Sequence, residues 1–279
     1  MDSGAQPCQH AGMNLRDPVL PPSESDAFAG LLRRFRSARR MSQLDLALTC
    51  EISARHLSFL ETGRAKPSRE MVLQLASGLV LPLGSQNTLL QAAGFAPIFP
   101  ASPLESEALG PFRAVLQEMM DRHAPWPAIL CDRHWRMRDA NASAMALLGP
   151  LQAESGETSL IRMLTDSPVA ETLVANLPEV IHEMHGRIAL EALEAGNDPV
   201  LRDLLAALDV AGQRHPLPGG APRRPLVPLL VNTPAGQLSF LSTVAHFGTS
   251  EDVTVRDLRL ELLFPADEPT RAAMRALAG

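Results

Sequence analysis

The 279-residue sequence predicts a multidomain chain, an all-α bundle of five short helices followed by a mixed α+β domain. Three observations carry that prediction: helical periodicity with capping signals from Phe28 to Gly94, a proline-rich break from Ala96 to Pro111, and strand-like segments on both flanks of a helical middle beyond it. These marks divide the chain into a tail over 1–25, expected to be disordered, a helical domain over 26–96, a linker over 97–111, a second domain over 112–267 and a tail over 268–279.

In the first helix, Phe28, Leu31, Leu32, Phe35 and Ala38 recur at helical spacing and leave Arg33, Arg34, Arg36, Arg39 and Arg40 mostly on other faces. Ser42 is placed to cap a second helix with Leu44, Ala47 and Leu48 inward, and Ser53 a third with Leu57 and Leu60 inward. Only a tight turn fits between those two. Gly63 stops the third helix and Pro67 cannot prolong it, which leaves about three turns, a length that suits a DNA major groove. Ser68 opens a fourth helix with Met71, Val72, Leu75 and Leu79 on one side, and Ser85 to Ala93 forms a fifth, ended by Gly94.

The formal charge of the whole chain is −6, but Asp26 to Phe99 carries nine basic residues against five acidic ones. A basic module joined to an acidic one is the asymmetry expected of a DNA reader attached to another domain, because phosphate neutralisation supplies most non-specific affinity. A solvated basic face on an ordinary bundle is the competing explanation. Twenty-four arginines against one lysine also reflect coding bias, so position weighs more than number.

In the second domain a helix bearing Val115, Leu116, Met119 and Met120 comes first. The apolar run Ala128 to Cys131 and the alternation of Trp135 and Met137 with Arg136 and Arg138 predict two strands around a turn, followed by a helix from Asn141. Leu160 to Leu208 is helical in pattern, including Val180 to Glu194 and Pro199 to Leu208, and Gly212 to Pro225 breaks all periodicity as a loop. Strands are expected at Leu226 to Asn232, Gln237 to Phe247 and Val255 to Phe264. The last alternates Leu258, Leu260 and Leu262 against Asp257, Arg259 and Glu261. Two early and three late strands around helices imply a single curved sheet.

The run MSQLDLALTCEISARHLSFLETGRAKPS from Met41 to Ser68 resembles the Cro and phage-repressor class of helix-turn-helix, the XRE family, and SARHLSFLETGRAKPSREMVLQLASGL is similar to its MmyB-like subgroup. The resemblance implies Gln43 as a phosphate clamp and Ala54, Arg55 and Ser58 as groove-facing residues of the DNA-binding helix that Ser53 caps, with Phe59 either meeting a thymine methyl or covering the turn and His56 either lining a phosphate or packing beside the groove. It implies Arg64 and Lys66 as backbone contacts, and a pair between Arg36 and Glu61. Glu51 stands where the family's turn usually carries Gly; a positive φ there would strain it. Further on, PAILCDRHWRMRDANASAMALLG, HGRIALEALEAGNDP and HFGTSEDVTVRDLRLELLFPADE resemble the MmyB-like ligand-binding domain, a PAS-like module. That resemblance implies an apolar, fatty-acid-like effector. Asn176-Leu177 departs from the family's Asn-Trp, and the chain has no Tyr, so aromatic contacts of that kind do not carry over.

The large side chains offered to such an effector are Trp126, Ile129, Trp135, Met137, Met145, Leu230, Leu238, Phe240 and Leu260, which equally suit an ordinary core. Cys8, Cys50 and Cys131 match no metal spacing, and His182 with His185 lacks a third ligand, so neither metal nor cofactor is expected. No phosphate loop and no nucleophile motif point to an enzyme, and no run reaches membrane-spanning length or forms a signal-peptide core. The expectation is a cytoplasmic, homodimeric transcriptional regulator that binds a double-stranded operator under the control of an apolar small molecule. Two alternatives stay open: a DNA-binding factor whose second domain only dimerises, and a small-molecule carrier or enzyme without DNA function.

Overall fold

The computed structural model describes residues 24–195, 198–217, 226–234, 236–248 and 250–278. Residues 1–23 of the expected tail and 218–225 of the expected loop lie outside the described residues. The first domain holds α1 (Glu24–Ala38), α2 (Gln43–Thr49), α3 (Ala54–Glu61), α4 (Arg69–Gly78) and α5 (Leu83–Ala92). Phe28, Leu32, Phe35, Leu46, Leu57, Leu60, Leu75 and Leu89 form its core. Ser42, Ser53 and Ser68 cap α2, α3 and α4 as their positions predict, each accepting a backbone N–H three residues on. At Ser42 the cap is reciprocal, because Asp45 accepts from its backbone N–H in turn.

The inward face of α2 differs from expectation. Leu44 and Leu48 are 58% and 68% exposed; Ala47 is buried as expected, and Leu46 and Cys50 enter the core with it. Seven residues make fewer than two full turns, so the periodic pattern is too short to settle the phase, and packing against α3 and α4 decides it. The turn before α3 follows expectation: Glu51 has φ 50°, and the α1–α2 and α4–α5 junctions likewise place Arg40 (φ 53°) and Val80 (φ 49°) in the left-handed region. The bundle holds three non-glycine residues there, a local cost that the core of cooperating helices absorbs.

The expected linker is ordered. Asn87 on α5 donates to the Phe99 carbonyl at 2.8 Å and accepts from the N–H groups of Ile98 and Phe99 at 3.1 Å each. The Pro100 carbonyl takes the N–H of Val253, and Asp252 takes that of Ser102, so the segment is held from both domains. Asn87→Ala leaves three backbone groups without these partners and is expected to lower thermal stability by about 1–3 kcal/mol. It should also bring proteolytic cleavage near Pro100; wild-type resistance in the variant would show that these bonds do not hold the segment.

A 3-10 turn at Glu107–Leu109 leads into α6 (Gly110–His123), then β1 (Ala128–Cys131), β2 (Met137–Ala140), α7 (Ala142–Ser155), α8 (Leu160–Asp166) and α9 (Pro168–Leu173). After these come α10 (Leu177–Glu194), α11 (Pro199–Arg214), β3 (Leu229–Thr233), β4 (Gly236–His246), α12 (Val253–Asp257), β5 (Arg259–Pro265) and α13 (Glu268–Ala278). The five strands form one sheet in the order β2-β1-β5-β4-β3 with antiparallel neighbours, the mixed α+β arrangement the sequence predicts. Several boundaries move. β3 begins at Leu229 rather than Leu226, and Trp135 stands in the turn before β2 rather than in a strand. Gly212 to Arg214 continue α11 rather than opening the loop. Val255 to Asp257 form the end of a helix, because Asp252 accepts the N–H groups of Thr254 and Val255 and so caps it. The segment after Asp267, expected to be a tail, is helical and packs Met274 into the core beside Phe240 and Leu238.

Both faces of the sheet are covered. Leu116 and Met120 of α6 lie on Ala128, Leu130, Leu258 and Leu260. The opposite face meets the helical layer, so the charged side of β5 does not face water: Glu261 is buried and Arg259 nearly so. Alternation marks two faces of a strand without saying which is wet.

Candidate functional site

The N-terminal turn of α3 stands at the surface. Ser53, Ala54 and Arg55 are exposed, and His56, Ser58 and Phe59 are half-buried beside them. The Ser53 hydroxyl is engaged as the cap, accepting from His56 N at 3.1 Å. The Arg55 guanidinium lies 5.3 Å from the centre of the Phe59 ring, a cation–π contact that limits its swing. Arg64 and Lys66 are exposed just past the helix, after Gly63, whose φ of 70° ends α3 as the sequence predicts.

Behind this surface α3 is tied to the scaffold. Arg36 Nε lies 2.6 Å from Glu61 Oε1 and Arg36 Nη2 donates to Oε2 at 2.9 Å, with side chains only 13% and 1% exposed. Burial pushes the Glu61 carboxyl up, but hydrogen bonds from Arg36 and from Gln43 outweigh it and hold the group below the usual carboxylate range. Gln43 Nε2 donates to Glu61 Oε2 at 2.7 Å, so three helices meet at one carboxylate.

Between the sheet and α7, α8 and α10 lies an apolar cavity of about 120 Å³. Its walls are mainly helical: Ala144, Leu147, Leu148 and Leu151 from α7, Ile161 and Met163 from α8, Val180 and Met184 from α10. Of the residues the sequence offered, Ile129 and Trp135 line it. The others stand elsewhere. Leu260 packs under α6 on the other face, and Leu238 and Phe240 join the core beside α13. Trp126 lies under Arg271 and Arg275, Met137 packs beside Ala144 and Leu148, Met145 is 38% exposed, and Leu230 pairs with Ser239 on β4.

One end of the cavity is polar, and periodicity on α10 could have revealed it, since Val180, Glu183, Met184 and Arg187 recur at helical spacing and all line the wall. Arg187 Nη1 lies 3.0 Å from Glu261 Oε1, and its guanidinium stacks 4.6 Å from the centre of the Trp135 ring. Arg259 covers the same ring at 5.1 Å and pairs with Glu191 at 2.5 Å, while the Trp135 indole donates to Glu191 at 2.9 Å. Trp135 has φ 59°, rare for so bulky a residue, in a turn whose Asp132 side chain accepts the N–H groups of His134 and Arg136. The turn aims the ring inward.

The cavity wall reaches the first domain. α10 ends at Glu194, whose carbonyl accepts from Arg39 Nη2 at 3.0 Å, and the same nitrogen donates to the Val80 carbonyl at 3.1 Å. From Glu183 to Glu194 the helix spans about 16 Å at its usual rise. Among the described residues no group of His, Cys, Asp and Glu is disposed to hold a metal, and His185 pairs with Asp209 at 2.9 Å. No helix among them is long and apolar enough to cross a membrane.

Residues 112–277 match the family of MmyB-like transcription regulator ligand binding domains, and residues 27–84 match a helix-turn-helix domain family. The chain is also similar to HTH-type transcriptional regulators, themselves uncharacterized, of Mycobacterium bovis and Mycobacterium tuberculosis. Each is 28% identical over 193 residues, spanning 66% of this chain and 74% of theirs.

Proposed function

Because the chain belongs to the family of transcription regulators with an MmyB-like ligand binding domain and carries a helix-turn-helix domain ahead of it, it is a DNA-binding transcriptional regulator, and we propose that an apolar small molecule such as a fatty acid, held in the cavity, sets its affinity for DNA. The observation that carries this reading is α10, which lines the cavity through Val180, Met184 and Arg187 and offers its last-turn carbonyl to Arg39 of α1. A molecule that fits one position of α10 better than another shifts the two-domain arrangement by its differential affinity. The cavity is near the roughly 150 Å³ that admits benzene, so a long chain must part the walls, which the flexible Met163 and Met184 permit.

On the DNA side the reading gives Arg55, Ser58, Ala54 and Phe59 to base edges, with His56 beside them and Ser53 presenting the helix start. Arg64 and Lys66 go to phosphates. Gln43 keeps one amide hydrogen on Glu61 and turns its second to a phosphate. Two copies on a two-fold operator in the cytoplasm complete the picture.

The test is titration of the full chain onto DNA from upstream of its own gene at rising salt, with and without medium-chain fatty acids. Affinity is expected to fall steeply with salt and to change about 5- to 150-fold with the acid. Ala144→Phe, which fills the cavity, should abolish the response and spare DNA binding. A flat salt dependence sinks the DNA reading, and an acid that leaves affinity unchanged sinks the effector reading.

A further inference from the structure

Where the end of α1 meets the last turn of α10, an open groove of about 380 Å³ is lined by Arg33, Arg34, Ser37, Ala38 and Arg40 of the first domain and by Leu193 of the second. The three arginines are exposed, and among the described residues none of them has an ion pair or a side-chain hydrogen bond. Their own helix offers no acid nearby, since Glu24 and Asp26 of α1 precede Arg33 by seven residues or more. The closest carboxylates have other partners. Glu61 takes Arg36 and Gln43, with Arg33 adding only its charge, and Glu194 offsets part of what burial takes from the Arg39 guanidinium. One open wall therefore holds three positive charges without counter-charges from the described residues.

The groove adjoins the network that seats α3. Arg36 shares a stripe of α1 with Arg33 and Arg40; it donates to the Met41 carbonyl at 2.7 Å and holds the Glu61 carboxylate at the end of α3. Gln43, bound to the same carboxylate, follows Arg40 by three residues. Arg40 itself keeps φ 53°, where glycine is the ordinary choice, so the chain carries a large exposed cation at a position that disfavours any side chain. Like charges held this close raise the energy of the free protein, and a polyanion laid along them relieves it.

We propose that this groove is a second binding site for the phosphate backbone of DNA, with Arg33, Arg34 and Arg40 as its contacts and Leu193 of α10 as its far wall. The site rests on the reading of the first domain as the DNA binder. Each guanidinium takes a phosphate in charge-assisted hydrogen bonds and releases a condensed cation, which adds affinity on any sequence and fixes register without reading a base. DNA seated here touches both domains, because one wall belongs to the ligand binding domain. Val180, Met184 and Arg187 of the same helix line the cavity, so on the effector reading a shift of α10 changes the room left for the phosphate.

Fluorescence anisotropy of the full chain at several salt concentrations, on a duplex from upstream of its own gene and on a scrambled duplex, tests this. Arg33→Gln, Arg34→Gln and Arg40→Gly, the last suited to the left-handed backbone, are each expected to weaken binding to both DNAs about fivefold at about 0.15 M salt and to reduce the salt slope by about one. Leu193→Lys should strengthen binding to both DNAs and Leu193→Glu should weaken it by a similar factor, opposite signs that a change in packing does not give. Should an arginine variant fail to fold, the Leu193 pair decides. Arginine variants that keep the wild-type affinity and slope while Lys66→Ala lowers both overturn the proposal and leave the DNA reading standing. Arginine variants that weaken binding while both Leu193 variants change nothing overturn the groove as the place where those arginines meet DNA. A wild type with flat salt dependence removes the DNA reading and the proposal together.

Discussion

Replacing Glu61 by Gln is expected to lower the stability of the helix-turn-helix domain by on the order of 3 kcal/mol, because it leaves Arg36 largely buried without its counter-charge. Glu61 is the meeting point of α1, α2 and α3, taking two hydrogen bonds from Arg36 and one from Gln43 with its side chain 1% exposed. The pair costs desolvation to form, so its breakage is more harmful than its formation is helpful. Its pH dependence has a definite sign. The Glu61 carboxyl sits lower in the folded chain than in the unfolded one, so its contribution is fully present above the ordinary carboxylate range and fades as pH falls through the folded value. Chemical denaturation at several acidic pH values should show a steeper slope in the wild type than in Glu61→Gln, which keeps only the part due to other carboxyls held low, Asp45 and Glu70 among them. An unchanged unfolding midpoint in the variant would mean that the network does not stabilise the domain.

Arg55→Ala is expected to cost about 1–3 kcal/mol at a specific operator and to flatten preference at one base position, since an arginine engages guanine O6 and N7 together. The stack on Phe59 holds the guanidinium over the start of α3, so Phe59→Ala should share part of the loss without removing the charge. Lys66→Ala should instead weaken all sequences alike and reduce the salt slope by about one, as a phosphate contact does. Binding measured on a footprinted operator and on scrambled DNA separates the two. Equal losses on both DNAs for Arg55→Ala would remove it from base reading.

The first domain was legible nearly residue by residue because its signals are local. A serine cap, a helix of two or three turns and a glycine stop each act within a few residues, and Ser53, Leu57, Leu60 and Gly63 needed no knowledge of anything distant. Arg36 with Glu61 lies 25 residues apart, and it came from the family resemblance, since no local rule links the two. The phase of α2 escaped because Leu44, Ala47 and Leu48 repeat as well as Leu46, Ala47 and Cys50 do.

In the second domain, composition and periodicity located the five strands and most of the helices but missed α12 and α13, and the alternation along β5 determined that Leu260 and Leu262 share a face, with Leu263 on the other. What they could not determine is which of two covered faces meets the cavity. That depends on where α6 and α10 land, through contacts between segments more than sixty residues apart. Hence Leu260, the natural choice for a ligand wall, packs under α6, while Glu261, the natural choice for solvent, lines the cavity beside Arg187. A side chain's direction within its own element is a local property of the backbone. What stands opposite it is settled only when the layers close, and there burial makes a charge either paired or open to a ligand.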